Sequence, residues 1–184
     1  MSRLRKYIRS DIYEAKMTED FYSASAQGYD ELYGKEQQEK LSEISDFIMS
    51  EDIDISGNIL DVGCGSGISA SYFGCSVGID PCNELLDIAK EKHKEIKFIK
   101  ASAEEIPFPD NAFDFSVSIT AAQNFSDMHK AISEINRVSR KGFIITILRN
   151  SPKRQMLESE LRSFGAKISS SEQDKDAIFL VRKR

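Results

Sequence analysis

The stretch ILDVGCGSGISASYFGCSVGIDP, Ile59 to Pro81, joins a short apolar run, a turn with glycines at 63, 65 and 67, a run of small residues and a second apolar run ending in an acid. Strand, glycine turn and helix in that order bring backbone N–H groups and the positive end of a helix dipole to one point, beside the carboxyl end of a buried strand. Such a point suits a polar, nucleotide-like ligand. The glycines allow a close backbone approach, and Asp80 can accept hydrogen bonds from both hydroxyls of a ribose. A dinucleotide fingerprint would read GxGxxG, its third glycine letting helix pack on strand. Here the pattern is GxGxG, with Ile68 at that place and an acid, Asp61, inside the strand. A carboxylate there can hold backbone amides of the turn and, directly or through water, orient a cationic amino group. A glycine turn without a phosphate-binding lysine fits a ligand with no phosphates.

The flanking sequence places this turn in a repeating pattern. Upstream, EQQEKLSEISDFIMS puts Leu41, Ile44, Phe47 and Ile48 on one helical face, leading up to the strand GNILDVG. SVGID, IKFIKAS and FDFSVSIT read as further buried strands, being rich in Val, Ile and Phe and too short for helices. Helical patterns separate most of them. NELLDIAKEKH carries Leu85, Ile88 and Ala89 on one side, and SDMHKAISEINRVSRKG carries Met128, Ile132, Ile135 and Val138 before Gly142, which reads as a C-terminal cap. GFIITIL is a strand, and SPKRQMLESELRSFG is a helix opened by Ser151 and Pro152. AKISSSE and DAIFLVRK follow with only a short polar link, so they pair antiparallel. The fold class is therefore α/β: a doubly wound, mostly parallel seven-stranded sheet with an antiparallel C-terminal pair. Residues 1–184 read as one domain, with N-terminal cap helices over 1–50 and an α/β core over 51–184.

Composition narrows the setting. Of 184 residues, 30% are charged and 40% apolar, and no apolar run approaches the roughly twenty residues of a membrane span, so a soluble protein without membrane association is expected. The start, MSRLRKYIRSDIYEAK, is basic and amphipathic but lacks the apolar core and cleavage site of a secretory signal, which points to the cytoplasm. Cys64, Cys75 and Cys82 form no CxxC pair, and His93 and His129 stand at no metal-ligand spacing, so reduced thiols and no metal are expected. The net charge of −5 argues against general nucleic-acid affinity. Positive charge nevertheless gathers at Arg3, Arg5, Lys6 and Arg9, and again at Arg137, Arg140, Lys141, Arg149, Lys153 and Arg154, which leaves room for a local basic face.

The sequence resembles the class I S-adenosylmethionine-dependent methyltransferases from about Tyr29 to Arg184. LDVGCGSG is similar to the family's cofactor loop, GIDPCNELLDIAK to its ribose-binding loop, ASAEEIPFPDNAFD to its adenine-side loop, and VSITAAQNFSD takes the place of its substrate-facing segment. The resemblance implies S-adenosyl-L-methionine as cofactor. It makes Asp61, Gly63, Cys64 and Gly65 the methionine-moiety loop, Asp80 with Pro81 the ribose side, and Ala103 with Glu104 the wall of the adenine pocket. Ser102 stands where an adenine-binding aspartate is usual; it can still bond the exocyclic amine, but without charge. Tyr29 matches a tyrosine that many relatives close over the cofactor, and Thr120 joins the cofactor set.

A methyl group on a sulfonium leaves without acid, so such an enzyme mostly aligns a nucleophile with the S–CH₃ bond, and alignment alone can supply roughly 7 to 11 kcal/mol. Relatives acting on small molecules often carry a His pair after the fourth strand; here those positions read Gln123 and Asn124. Amides can orient a substrate but take no proton at neutral pH, which points to an acceptor that is already electron-rich, such as a ring nitrogen. SITAAQNF also resembles the corresponding segment of ribosomal-RNA guanine-N7 methyltransferases, which commonly work with a small zinc-containing activator. That resemblance implies an RNA base, in rRNA or tRNA, as acceptor, with small-molecule or protein acceptors, and an inactive cofactor-binding scaffold, as alternatives. It also implies an activator pairing with the strand around Phe98, an expected sheet edge whose Lys97 and Lys100 point to opposite faces and guard it weakly.

Overall fold

The computed structural model describes residues 29–164, 167–172 and 175–183. Its chain order is α1 (Tyr29–Ser50), β1 (Ile59–Val62), α2 (Ile68–Tyr72), β2 (Val77–Asp80), α3 (Asn83–Lys92), β3 (Lys97–Lys100), β4 (Phe113–Ser118), a 3-10 turn (Ala122–Asn124), α4 (Met128–Val138), β5 (Ser139–Leu148), α5 (Arg154–Ser163), β6 (Lys167–Glu172) and β7 (Asp176–Arg182). The seven strands form one sheet in the order β3-β2-β1-β4-β5-β7-β6. β1 to β5 pair in parallel, whereas β7 enters antiparallel between β5 and β6. The strand order reverses between β1 and β4, and a ligand of an open α/β sheet binds at the carboxyl ends beside such a reversal.

Each face of the sheet carries one apolar layer. Leu60, Val62, Phe143, Ile145 and Ile147 pack with Ile132 and Ile135 of α4 and Leu157 and Leu161 of α5. Ile59, Val117, Ile144, Ile178 and Leu180 pack with Leu41, Ile44, Phe47 and Ile48 of α1 and Leu86 and Ala89 of α3. The four residues that marked the upstream helix are thus its buried face. Residues 1–28 of the expected cap lie outside the described residues.

Three local expectations change. The fourth helix stops at Val138, and Gly142 lies inside β5 rather than capping a helix. There the Ser139 hydroxyl donates to the Ile135 carbonyl at 2.6 Å, and a Cβ on Gly142 would stand 2.2 Å from the Val181 carbonyl oxygen, so the glycine serves the close approach of β7. The last helix begins at Arg154, after Ser151 has closed a turn whose carbonyl accepts from the Arg154 N–H at 3.1 Å. Finally, the six basic residues do not make one face. Arg137, Arg140 and Lys141 sit at the amino end of β5 and Arg149, Lys153 and Arg154 beyond its carboxyl end, about 30 Å apart along a strand rising about 3.3 Å per residue. Arg137 is engaged by Glu134 and Asp110, Arg140 and Lys141 by Asp114, and Arg154 by Glu158.

No helix links β3 to β4. The loop between them is held by Arg137, which donates to the Ile106 and Phe108 carbonyls at 3.0 and 2.7 Å, and by the Ile106 N–H, which donates to Glu134 at 3.0 Å. Among the described residues, no helix is long and apolar enough to cross a membrane, and no group of three or more His, Cys, Asp or Glu stands ready to hold a metal.

Candidate functional site

The glycine turn lies at the carboxyl ends of β1 and β2. The Gly63 and Cys64 N–H groups both donate to the Ile79 carbonyl, at 2.8 and 3.0 Å, which ties the turn to the end of β2. Its glycines do different work. A Cβ on Gly63 would stand 2.5 Å from that of Ala121, and one on Gly67 would meet the rings of His93 and Phe98 at 2.8 and 2.9 Å, so both are needed for packing. Gly65, at φ +52°, is the opposite case: a Cβ there would meet only Leu85 Cδ1, at 3.9 Å. The protein leaves open space beside this one backbone unit. Cys64 turns its sulfur toward Gly78, and burial pushes the thiol well up, so it is neutral packing and contributes its backbone to the turn.

Two carboxylates flank the turn. Asp80 Oδ2 accepts from the Gly65 N–H at 2.9 Å and Oδ1 from the Cys82 N–H at 2.8 Å, so one side chain fixes both the glycine turn and the loop that follows through exposed Pro81. Asp61 is fully buried in β1. The Gly63, Cys64, Gly65 and Gly67 amides of the turn bond elsewhere, and its Oδ2 accepts from the Ser69 hydroxyl at 2.6 Å. Its Oδ1 has no hydrogen-bond partner among the described residues. Burial pushes this carboxyl up to about 7, against the downward pull of Ser69 and with a further upward push from Asp80. A buried carboxylate oxygen without a partner, on the strand that leads into the turn, is an acceptor of the kind that a cationic amino group would satisfy.

On the other side of the cradle, Ala103 is buried and Ser102 half-buried, but Glu104 is committed. Its Oε1 accepts from the Ser126 and Asp127 N–H groups at 2.7 and 3.3 Å, which anchors the loop to the start of α4. The side chain of Tyr29 lies outside the described residues.

Beyond β4, Thr120 holds φ +53°, a left-handed conformation uncommon for a β-branched residue and costing roughly 1–3 kcal/mol. All its polar atoms are tied down. Its N–H donates to Thr146 Oγ1 at 2.7 Å, its hydroxyl donates to Asp176 Oδ2 at 2.7 Å and accepts from Lys40 Nζ at 2.9 Å, and its carbonyl accepts from Gln123 Nε2 at 2.5 Å. Lys40 and Asp176 pair at 3.1 Å with side chains only 9% and 2% exposed. Sequence reading missed Lys40, Thr146 and Asp176. The available signals were a lysine four residues before Ile44 on the apolar face of α1 and an acid directly before the apolar run AIFLV, Ala177 to Val181. Gln123 is half-buried and Asn124 exposed, both on the 3-10 turn next to Ala121, the residue that Gly63 touches.

Residues 60–147 match the methyltransferase-domain family. Curated relatives include an uncharacterized protein of Methanocaldococcus jannaschii, 32% identical over 70% of this chain and 50% of its own length. Another is the ubiquinone/menaquinone biosynthesis C-methyltransferase of Campylobacter jejuni, 32% identical over 49% of this chain and 43% of its own length. The chain spans half or less of the length of these relatives. Among solved structures, the magnesium protoporphyrin IX methyltransferase of Synechocystis with bound S-adenosylmethionine superposes with TM-score 0.73 at 13% identity, covering 92% of this chain and all of that one. The methyltransferase from the complex with the Haloferax volcanii Trm112 methyltransferase activator superposes with TM-score 0.70 at 14% identity, covering 93% and 100%. Residues 60–147 thus read as a methyltransferase domain, and the chain carries the fold of these solved methyltransferases, a seven-stranded sheet with an antiparallel C-terminal pair.

Proposed function

We propose that this chain transfers the methyl group of S-adenosylmethionine to an electron-rich nitrogen, with an RNA base as the acceptor. The observation that carries the cofactor part is the pairing of an open cradle at Gly65 with the partnerless Oδ1 of buried Asp61. Bound there, S-adenosylmethionine supplies a methyl group on a leaving group that needs no acid. Asp61 orients the ammonium of the methionine moiety, Asp80 adds ribose hydroxyls to the two amides it already holds, and Ser102 and Ala103 bound the adenine. Gln123 and Asn124 place the acceptor. Neither amide takes a proton, which favours an acceptor whose lone pair is free beforehand. Asn124→Ala is expected to lower turnover about tenfold or more while cofactor affinity stays within about twofold. Equal loss of both would move Asn124 out of the acceptor site.

The charge of Asp61 gives this reading a pH signature. Below about 7 its carboxyl carries a proton that a cationic ligand must displace. Affinity for S-adenosylmethionine is therefore expected to rise about tenfold per unit from pH 5.5 toward 7 and to level off above, and Asp61→Asn should flatten the profile. Ligand-free stability has the opposite sign. Between the ordinary carboxylate value of 3.8 and about 7 the fold retains a proton that the unfolded chain has released, so this group's contribution falls as pH rises through that window. Calorimetric titrations across this range decide both, and a flat wild-type profile would remove Asp61 from the ammonium site.

A second reading concerns a partner, favoured by the superposition on the activator-bound methyltransferase. β3 is a sheet edge, and Phe98 and Ile99 divide between the two apolar layers. The Lys97 and Ala101 N–H groups donate to the Ser76 and Asp80 carbonyls of the β2 side, so by alternation Ile99 also faces β2 and Phe98 turns its N–H outward. A small activator pairing there would lose its backbone partner in Phe98→Pro, whereas Phe98→Ala removes the ring and keeps the donor. Copurification from the native host should thus fail with the proline and survive with the alanine. A fully active monomer would end this reading.

A further inference from the structure

Three non-glycine residues hold a positive φ among the described residues, Asp52, Asn111 and Thr120. Aspartate and asparagine tolerate that conformation; a β-branched threonine does not. What keeps Thr120 there comes from distant parts of the chain. Its hydroxyl is bonded by Lys40 of α1 and Asp176 of β7, at 2.9 and 2.7 Å, and its N–H by Thr146 of β5 at 2.7 Å. Lys40 and Asp176 close the ring by pairing with each other at 3.1 Å. Together these bonds over-determine the strained backbone. A glycine would reach the same φ without strain but would offer Lys40 and Asp176 no hydroxyl.

The conformation of Thr120 sets the course of the chain after β4. Ala121, the next residue, packs so closely on the cofactor-side turn that a Cβ on Gly63 would stand 2.5 Å from its own. The 3-10 turn follows directly. Its Asn124 N–H donates to the Ala121 carbonyl at 2.9 Å, and Gln123 Nε2 donates back to the Thr120 carbonyl at 2.5 Å. An extended or right-handed Thr120 would aim Ala121 and Asn124 in another direction and break the contact with Gly63.

Resting on the methyltransferase reading, we infer that Lys40 and Asp176 are positioning residues: through Thr120 they set Ala121 and the 3-10 turn against the cofactor turn at Gly63. Two substitutions at Thr120 separate this from a role in packing alone. Thr120→Val keeps the branching and the volume but loses the hydroxyl, so the strain loses the bonds that offset it, while Lys40 and Asp176 stay paired. Thr120→Gly loses the same bonds and more contacts, yet takes the left-handed conformation freely. Calorimetry on the full chain with S-adenosylhomocysteine is expected to show the glycine variant binding about tenfold more tightly than the valine variant. The backbone amide NMR signals of Gly63 and Asn124 should likewise stay nearer their wild-type positions with glycine. Packing or hydrogen bonding alone predicts the reverse order, because glycine gives up more contacts than valine. Replacing the ion pair together, Lys40→Met with Asp176→Leu, leaves no unpaired charge; it should cost about tenfold in affinity, most of it recovered when Thr120→Gly is added. Valine equal to or better than glycine, or no recovery in the triple variant, overturns the inference. Should the paired replacement not fold, the two Thr120 variants decide alone. If the wild type does not bind S-adenosylhomocysteine, the methyltransferase reading fails and the amide signals decide the positioning; if it binds and the order is reversed, only the positioning assignment fails.

Discussion

Gly65→Val is expected to lower the affinity for S-adenosylmethionine at least a hundredfold without unfolding the chain. The space beside Gly65 is bounded only by Leu85 Cδ1 at 3.9 Å, so a branched side chain would meet the ligand rather than the protein. Its φ of +52° adds backbone strain of roughly 1–2 kcal/mol for an L-residue, worth a fall of about 2–8 °C in the thermal midpoint at this chain length. Gly65→Ala separates the two effects, since it carries the same strain and far less volume. Calorimetry and a thermal melt on both variants suffice. Normal cofactor binding by the valine variant would mean that the turn is not the cradle. Gly67→Ala should behave in the reverse way, costing stability first, because its Cβ would collide with His93 and Phe98.

Asp80→Ala is expected to weaken cofactor binding by roughly 2 to 4 kcal/mol, about 30- to 1000-fold, from two lost hydrogen bonds to a charged acceptor at roughly 1.5–3 kcal/mol each, less recovery by water. The structure gives the effect a second source. The same carboxylate holds the Gly65 and Cys82 N–H groups at 2.9 and 2.8 Å, so its loss also loosens the turn that the ligand must find preformed. Asp80→Asn keeps one acceptor oxygen and should recover part of the loss. A change below about threefold in the alanine variant would place the ribose elsewhere.

The proposed cofactor half of the site is legible in the sequence because it is local. Asp61, Gly63, Gly65 and Asp80 fall within 20 residues on one strand, turn, helix and strand, and such a unit admits one arrangement in a right-handed crossover. Glu104 lies on the loop where the sequence puts it and has a structural contact there that the sequence does not reveal. Its carboxylate binds the start of α4, an element about twenty residues away, and sequence spacing carries no information about that pairing. Gly142 departs from expectation for a related reason. A glycine after a helical run usually marks a cap, and what it meets here is the Val181 carbonyl of a strand that arrives about forty residues later.

By itself the sequence determined the alternation of strands and helices, the antiparallel close and the glycine turn with its two acids, because hydrophobic period and turn chemistry are properties of neighbouring residues. Only the tertiary structure decided that Lys40 from α1 and Asp176 from β7, 136 residues apart, meet at Thr120, and that Gly65 alone among the turn's glycines faces open space. The physical reason is burial. A lysine and an aspartate read singly are surface residues, and the sheet order that carries β7 in beside β5 is what removes both from water and makes each the other's partner.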